Sequence, residues 1–171
     1  MSKSTAASSP WLVPESVIIA SRYVTRDGLD ALITCGAIYA TSDSESNCRS
    51  DDRQIDILAL ITFYVTARFK QLHPGPMSPA DHLALDVNIH FSVASHIGLI
   101  LTPHPSILAR VLAAAAPGNE AVLADPERCH QVYGWELAHG SNPSDDRAVA
   151  LLVAMIVATS KLNAQHDPAM N

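Results

Sequence analysis

The sequence predicts an all-α fold: a single globular bundle of six to seven helices with an apolar C-terminal helix at its centre. Three observations carry this. Apolar residues recur at helical spacing through most of the chain, Pro and Gly clusters break it into helix-length pieces, and one stretch near the end is apolar on every side. The 171 residues are enough for one domain with a hydrophobic core of its own. The expected organisation is an N-terminal arm over 1–10, a helical domain over 11–162 and a frayed tail over 163–171.

The arm is Ser- and Ala-rich and gives way to Trp11-Leu-Val-Pro14, where a large aromatic stands at the domain border. From Glu15 to about Ala40 the residues Val17, Ile18, Leu29, Leu32, Ile33 and Ile38 follow helical intervals, with Gly28 as the expected break or kink. The β-branched run Val17-Ile18-Ile19 also suits a short strand, so residues 15–24 remain open between helix and strand.

A polar loop over 41–50 leads to a helix from about Asp51 to Leu72, with Asp51 and Asp52 at the end where the helix dipole favours negative charge. Ile57, Leu58, Ile61, Tyr64, Val65 and Leu72 gather on its core side, opposite Asp56, Thr62, Thr66 and Lys70. His73-Pro-Gly-Pro76 stops it. Ser78-Pro79-Ala-Asp81 is a strong start signal, with an N-cap serine, proline at the first helical position and an acid in the first turn. That helix should run to about Leu101 and pair antiparallel with the preceding one. Thr102-Pro-His-Pro105 and Pro117-Gly-Asn119 bracket an Ala-rich helix over 106–116.

Asp125-Pro126 starts another helix that should end at Gly140, a residue suited to the left-handed position after a helix. The last helix runs from Asp146 to about Leu162. Val149, Leu151, Leu152, Val153, Met155, Ile156 and Val157 leave it no polar stripe. A helix without a wet face has to be surrounded, by its own domain or by a second copy in a homodimer.

Composition narrows the function classes. The chain is 48% hydrophobic and only 16% charged, against about 25% charged in ordinary soluble domains. More apolar surface than a monomer usually shows is therefore expected. The acidic balance of −6, with 11 scattered Lys and Arg, excludes the clustered cations that nucleic acid requires. Around residues 43–56 five acids stand against Arg49 and Arg53, a local net of −3 that reads as a solvated loop and helix start. Three cysteines, Cys35, Cys48 and Cys129, form neither a disulfide framework nor a CxxC motif, which suits a reducing, cytoplasmic setting. The N-terminus lacks the pattern of a secretory signal, and the apolar run over 148–159 is shorter than the roughly 20 residues a membrane helix needs. No membrane association is expected.

Two groups of residues are candidates for function. His82, Asp86 and His90 follow i, i+4, i+8 spacing, and at about 100° per residue they form one stripe within roughly 80°. Extrapolated from Val93, Ile97 and Ile100, that stripe points to the core side. There the three residues either satisfy one another as a hydrogen-bonded ladder or supply ligands for Zn or Fe. Residues i and i+8 are about 12 Å apart along the axis, so only an adjacent pair can share an ion. Further ligands would have to come from His104, Glu127, His130, Glu136 or His139. Glu127-x-x-His130 and Glu136-x-x-His139 have the spacing of di-iron carboxylate bundles, but they begin nine residues apart on one helix, on opposite faces, and the helices over 51–72 and 79–101 contain no Glu.

The second group is Trp11, Tyr133 and Trp135, amphipathic side chains of the kind enriched at protein interfaces, although Trp135 equally suits a core. Cys129 and His130, being adjacent on a helix, point about 100° apart and make no ready dyad. Cys35, in an apolar setting, is expected to be an inert thiol. Glycine-rich phosphate loops and nucleophile elbows are absent from the sequence. The expected function is a non-catalytic helical protein–protein interaction module, an adaptor, inhibitor or regulatory subunit that self-associates, with no cofactor. The alternative is a metal-dependent enzyme or sensor built on the His-Asp-His stripe.

Overall fold

The computed structural model describes residues 9–41, 52–76, 78–142 and 144–166. Among them are eight helices: α1 (Glu15–Ala20), α2 (Arg26–Thr34), α3 (Ile57–Leu72), α4 (Pro79–Leu101), α5 (Pro105–Ala115), α6 (Glu120–Leu123), α7 (Pro126–Ala138) and α8 (Asp146–His166). The fold is all-α in character, as expected, with one addition. A small antiparallel sheet joins β1 (Leu12–Pro14), β2 (Ala40–Thr41) and β3 (Gln54–Asp56) in the order β1-β3-β2.

The apolar stretch near the C-terminus is central within the chain. Residues 148–154 of α8 are all buried, and α4, α5, α6 and α7 pack around them. The choice left open by the sequence is thereby resolved in favour of an intrachain core, since α8 is covered without a second copy. On α4, Gly98 makes a close approach possible: a Cβ there would lie 3.1 Å from Val157 Cγ2. Helix α8 continues to His166, four residues past the helix end expected from the sequence. The remaining tail and most of the expected arm lie outside the described residues.

Several boundaries follow the local chemistry. Pro79 opens α4, and the Ser78 carbonyl accepts the His82 N–H at 3.0 Å. The Asp125 carboxylate caps α7 through the amides of Glu127 and Arg128. At the other end Gly140, at φ 82°, allows Ser141 N–H to reach Glu136 O at 3.0 Å and its own N–H to reach Leu137 O at 3.2 Å. That pair of bonds is the Schellman closure expected of a glycine after a helix.

Others depart from expectation. The 15–40 segment breaks at residues 21–25, where Arg22 takes φ 59°, and Gly28 falls inside the first turn of α2, with the Thr25 hydroxyl capping its amide at 3.2 Å. Val17-Ile18-Ile19 is helical, which closes the ambiguity there. Helix α3 starts at Ile57 instead of Asp51, because residues 54–56 are drawn into the sheet and Asp56 caps the Ala59 amide at 2.9 Å. Asp52 accepts hydrogen bonds from the Ser16 amide and hydroxyl. Leu72, expected in the core, is exposed. Thr41, expected in the polar loop, belongs to β2, and the acids at 43, 45 and 51 lie outside the described residues.

The sheet is small but well anchored. Val13 and Ile55 face each other across β1 and β3, and both are fully buried. Below them Glu15, the one buried charged side chain among the described residues, sits against Arg53 at 2.6 Å and Arg26 at 3.4 Å. Arg53 also reaches Asp30, and these bonds, first to Glu15 and then to Asp30, hold the guanidinium charge even more firmly than usual. The network ties α1, α2 and β3 together.

Trp11 completes the connection to the central helix. Its indole is fully buried, and its N–H donates to Asp146 Oδ1 at 2.8 Å, at the start of α8. A carboxylate there is also favoured by the helix dipole. Trp11→Ala is expected to lower the unfolding free energy by about 3–5 kcal/mol, and Trp11→Phe by a smaller amount. Urea denaturation measures both, and a loss under about 1 kcal/mol for the alanine variant would contradict this anchoring. Glu15→Ala, which leaves Arg53 with Asp30 alone, is expected to cost about 1–3 kcal/mol in the same assay.

Candidate functional site

The structure separates the residues that the sequence grouped. His82 and Asp86 are exposed, and His90 is half-buried with its Nδ1 bonded to the main-chain oxygen of Asp86 at 2.6 Å, not to its carboxylate. The stripe therefore does not point to the core, and that expectation is corrected. The physical reason is position along α4. Its core contacts begin near Ile89, whereas the described side chains before it at 79, 82, 86, 87 and 88 are all exposed. Among the described residues no group of three or more His, Cys, Asp or Glu is placed to hold a metal ion. Glu136 instead pairs with Arg147 at 2.8 Å.

The three aromatic residues proposed for an interface also divide. Trp11 is a core residue, which corrects its placement on an association surface. Tyr133 is half-buried against the core. Only Trp135 is presented outward, at 62% exposure, so the alternative that it fills the core is likewise corrected. The difference between Tyr133 and Trp135 is helical phase, since two residues turn α7 through about 200°.

Around Trp135, α7 forms a firm outward face. The indole stacks on the His139 ring with centroids 4.1 Å apart and planes 24° from parallel. His139 Nδ1 donates to the Trp135 carbonyl at 2.7 Å, which fixes the imidazole one turn below the indole. Gly134 adds no side chain beside it. Beneath this face Cys129 is fully buried, with its thiol donating to Val122 O at 3.0 Å, and the Glu136–Arg147 pair ties α7 to α8. Burial, then the negative charge of Asp125, pushes the Cys129 thiol above its usual value. Burial also raises the Tyr133 phenol. Cys129 is thus a structural thiol, and His130, next to it, is exposed. Cys35, expected in an apolar setting, is exposed, which corrects that reading. Cys48 lies outside the described residues.

A second feature was not anticipated. Tyr23, Tyr64, Arg68, Ser92 and His96 line a cleft of about 260 Å³ where the turn after α1 meets α3 and α4. Its signal in the sequence was a pair of i, i+4 couples, Tyr64/Arg68 and Ser92/His96, on consecutive helices. Without the position of Tyr23 nothing marked them as facing each other. Helices α3 and α4 pack against each other, and the cleft lies at their contact.

Comparison with family models, with curated proteins and with solved structures finds no match to this chain. Among the described residues no helix is long and apolar enough to cross a membrane.

The raised thiol and phenol values set a pH dependence. Because Cys129, Tyr133 and Tyr23 hold their protons more tightly when folded, the unfolded chain releases them first as pH rises. Stability is therefore full below the ordinary thiol range and declines through it and on into the phenol range. Thermal midpoints from about pH 7 to about pH 11 should show this fall, and Cys129→Ala should flatten its first part. A midpoint that is level across the thiol range in the native protein would contradict the assignment.

Proposed function

We propose that the protein is a non-catalytic helical interaction module that binds another protein through the outward face of α7. The exposed indole of Trp135 is the observation that carries this reading. Tryptophan is the residue type most often found to dominate binding energy, because it buries a large apolar area while retaining one hydrogen-bond donor.

Two further features support it. The stack on His139 restricts the indole before any partner arrives, and the helix beneath is held by Cys129 and the Glu136–Arg147 pair. Both lower the ordering cost of association. The partner suited to this face offers an aliphatic or aromatic side chain to the indole, and a second copy of this chain is one such partner.

Trp135→Ala tests the proposal. Native and variant proteins are compared by sedimentation velocity over a concentration series and as paired baits in affinity capture from the source cells. The native protein should form a complex, with itself or with a captured partner, that the variant weakens about 30-fold or more, corresponding to about 2 kcal/mol. Its thermal midpoint should be unchanged, since the side chain lies outside the core. A native protein that stays monomeric and retains nothing beyond what the variant retains would overturn the reading.

A further inference from the structure

We infer that the cleft between α3 and α4 is a binding site for a small aromatic carboxylate. The site shares no residue with α7, so it stands or falls separately from the interaction face.

Its walls are aromatic and set at right angles. Tyr23 meets Tyr64 with ring centroids 5.7 Å apart at 85°, and meets His96 at 5.5 Å and 73°. Phe69 and Val65 complete the apolar lining. Such an arrangement offers both ring faces and ring edges, the two contacts that a further flat ring prefers. At about 260 Å³ the cleft falls just under the roughly 300–1,000 Å³ of sites for drug-sized ligands. That size suits a single substituted ring.

The charge of the ligand follows from Arg68. Arg68 lines the cleft and enters no ion pair among the described residues, and no Asp or Glu shares the lining. A guanidinium without an ion pair among the described residues, sharing a lining with aromatic rings, is matched by a carboxylate, which it can hold through two parallel hydrogen bonds. The hydroxyls of Tyr23 and Tyr64 make no hydrogen bond to described protein groups, which leaves them as donors for an occupant. Burial, and then the neighbouring Tyr64, keeps the Tyr23 phenol protonated above its usual range, so it donates and does not repel an anion.

His96 adds a directional group. Its Nδ1 lies 2.6 Å from the Ser92 carbonyl, which can only accept, so Nδ1 carries a proton, and in the tautomer with that single proton Nε2 is an acceptor. A ring bearing a hydroxyl or N–H as well as its carboxylate would satisfy Nε2 and Arg68 together. A phosphate would leave the aromatic walls unused.

The test is a titration of the full chain with benzoate and 4-hydroxybenzoate, followed by backbone amide NMR, with benzamide and cyclohexanecarboxylate as controls for charge and for the flat ring. Saturable benzoate binding is expected, with shifts confined to residues 64–69, 92–96 and the turn at Tyr23. 4-Hydroxybenzoate should bind more tightly than benzoate, and both controls more weakly. Arg68→Gln should weaken benzoate about tenfold or more, and because Arg68 is exposed the fold should be retained. Tyr64→Phe should weaken it by a smaller factor while leaving the apolar wall. The inference is overturned by non-saturable shifts, by shifts centred elsewhere, or by benzoate affinity equal to that of benzamide and unchanged in Arg68→Gln.

Discussion

Helix α8 offers no face to water over residues 148–154, and the rest of the architecture can be understood as the means of covering it. Val149, Leu151, Leu152 and Val153 point in all directions around the axis, each contributing about 1.5–3 kcal/mol on full burial. No single neighbour can cover such a helix. α4 and α7 lie along it, α5 and α6 add shorter contacts, and Gly98 lets α4 come close enough for Val157 to fill the gap. Each covering helix must then be amphipathic, with its own outer face left to solvent or to a partner.

The N-terminal part of the chain solves a different problem. Hydrogen bonds that tie it to the bundle include the Trp11 indole to Asp146 at the start of α8, the Ile57 amide of α3 to the Trp11 carbonyl at 3.0 Å, and Arg110 of α5 to the Leu12 carbonyl at 2.9 Å. Strand β3 then links β1 and β2 from its central position, and the Glu15–Arg53–Asp30 network fixes the helices that follow β1. A buried ion pair gains little net energy over apolar packing, but it penalises every arrangement that leaves Glu15 unpaired. Here it sets which segments meet, and the surrounding Val13 and Ile55 supply the burial.

What the sequence revealed was local. Ser78-Pro79 and Asp125-Pro126 mark helix starts through interactions spanning three or four residues, and Gly140 marks a helix end in the same way. The apolar phase of residues 148–157 identified the centre of the domain. The sheet was hidden because each strand has only two or three residues, too few to display alternation, and pairing spans some forty positions of chain. Trp11 was misplaced for the same reason: its partner, Asp146, is 135 residues away. The His82, Asp86 and His90 stripe failed differently. Its phase was extrapolated from Val93 onward, and that phase is meaningful only where a neighbour is present to pack against.

The two outward features have a common origin in this division of labour. A helix packed into the bundle has its inner face fixed by that packing, so its outer face is free of that constraint. Most outer positions on α7 are then polar or small, as with Glu127, Arg128, His130, Gln131 and Ala138, all exposed. Trp135 is the exception on that face, and folding gives no reason for it, since its indole stabilises only the local stack with His139. Arg68 holds the same position with respect to α3: a cation beside aromatic rings, exposed, with no ion-pair partner among the described residues. Tyr133 and Val65, on the inner faces of the same two helices, are accounted for by the core they touch. Where burial explains the inner residue and nothing in the fold explains its outer neighbour, the outer neighbour is the place to look for binding.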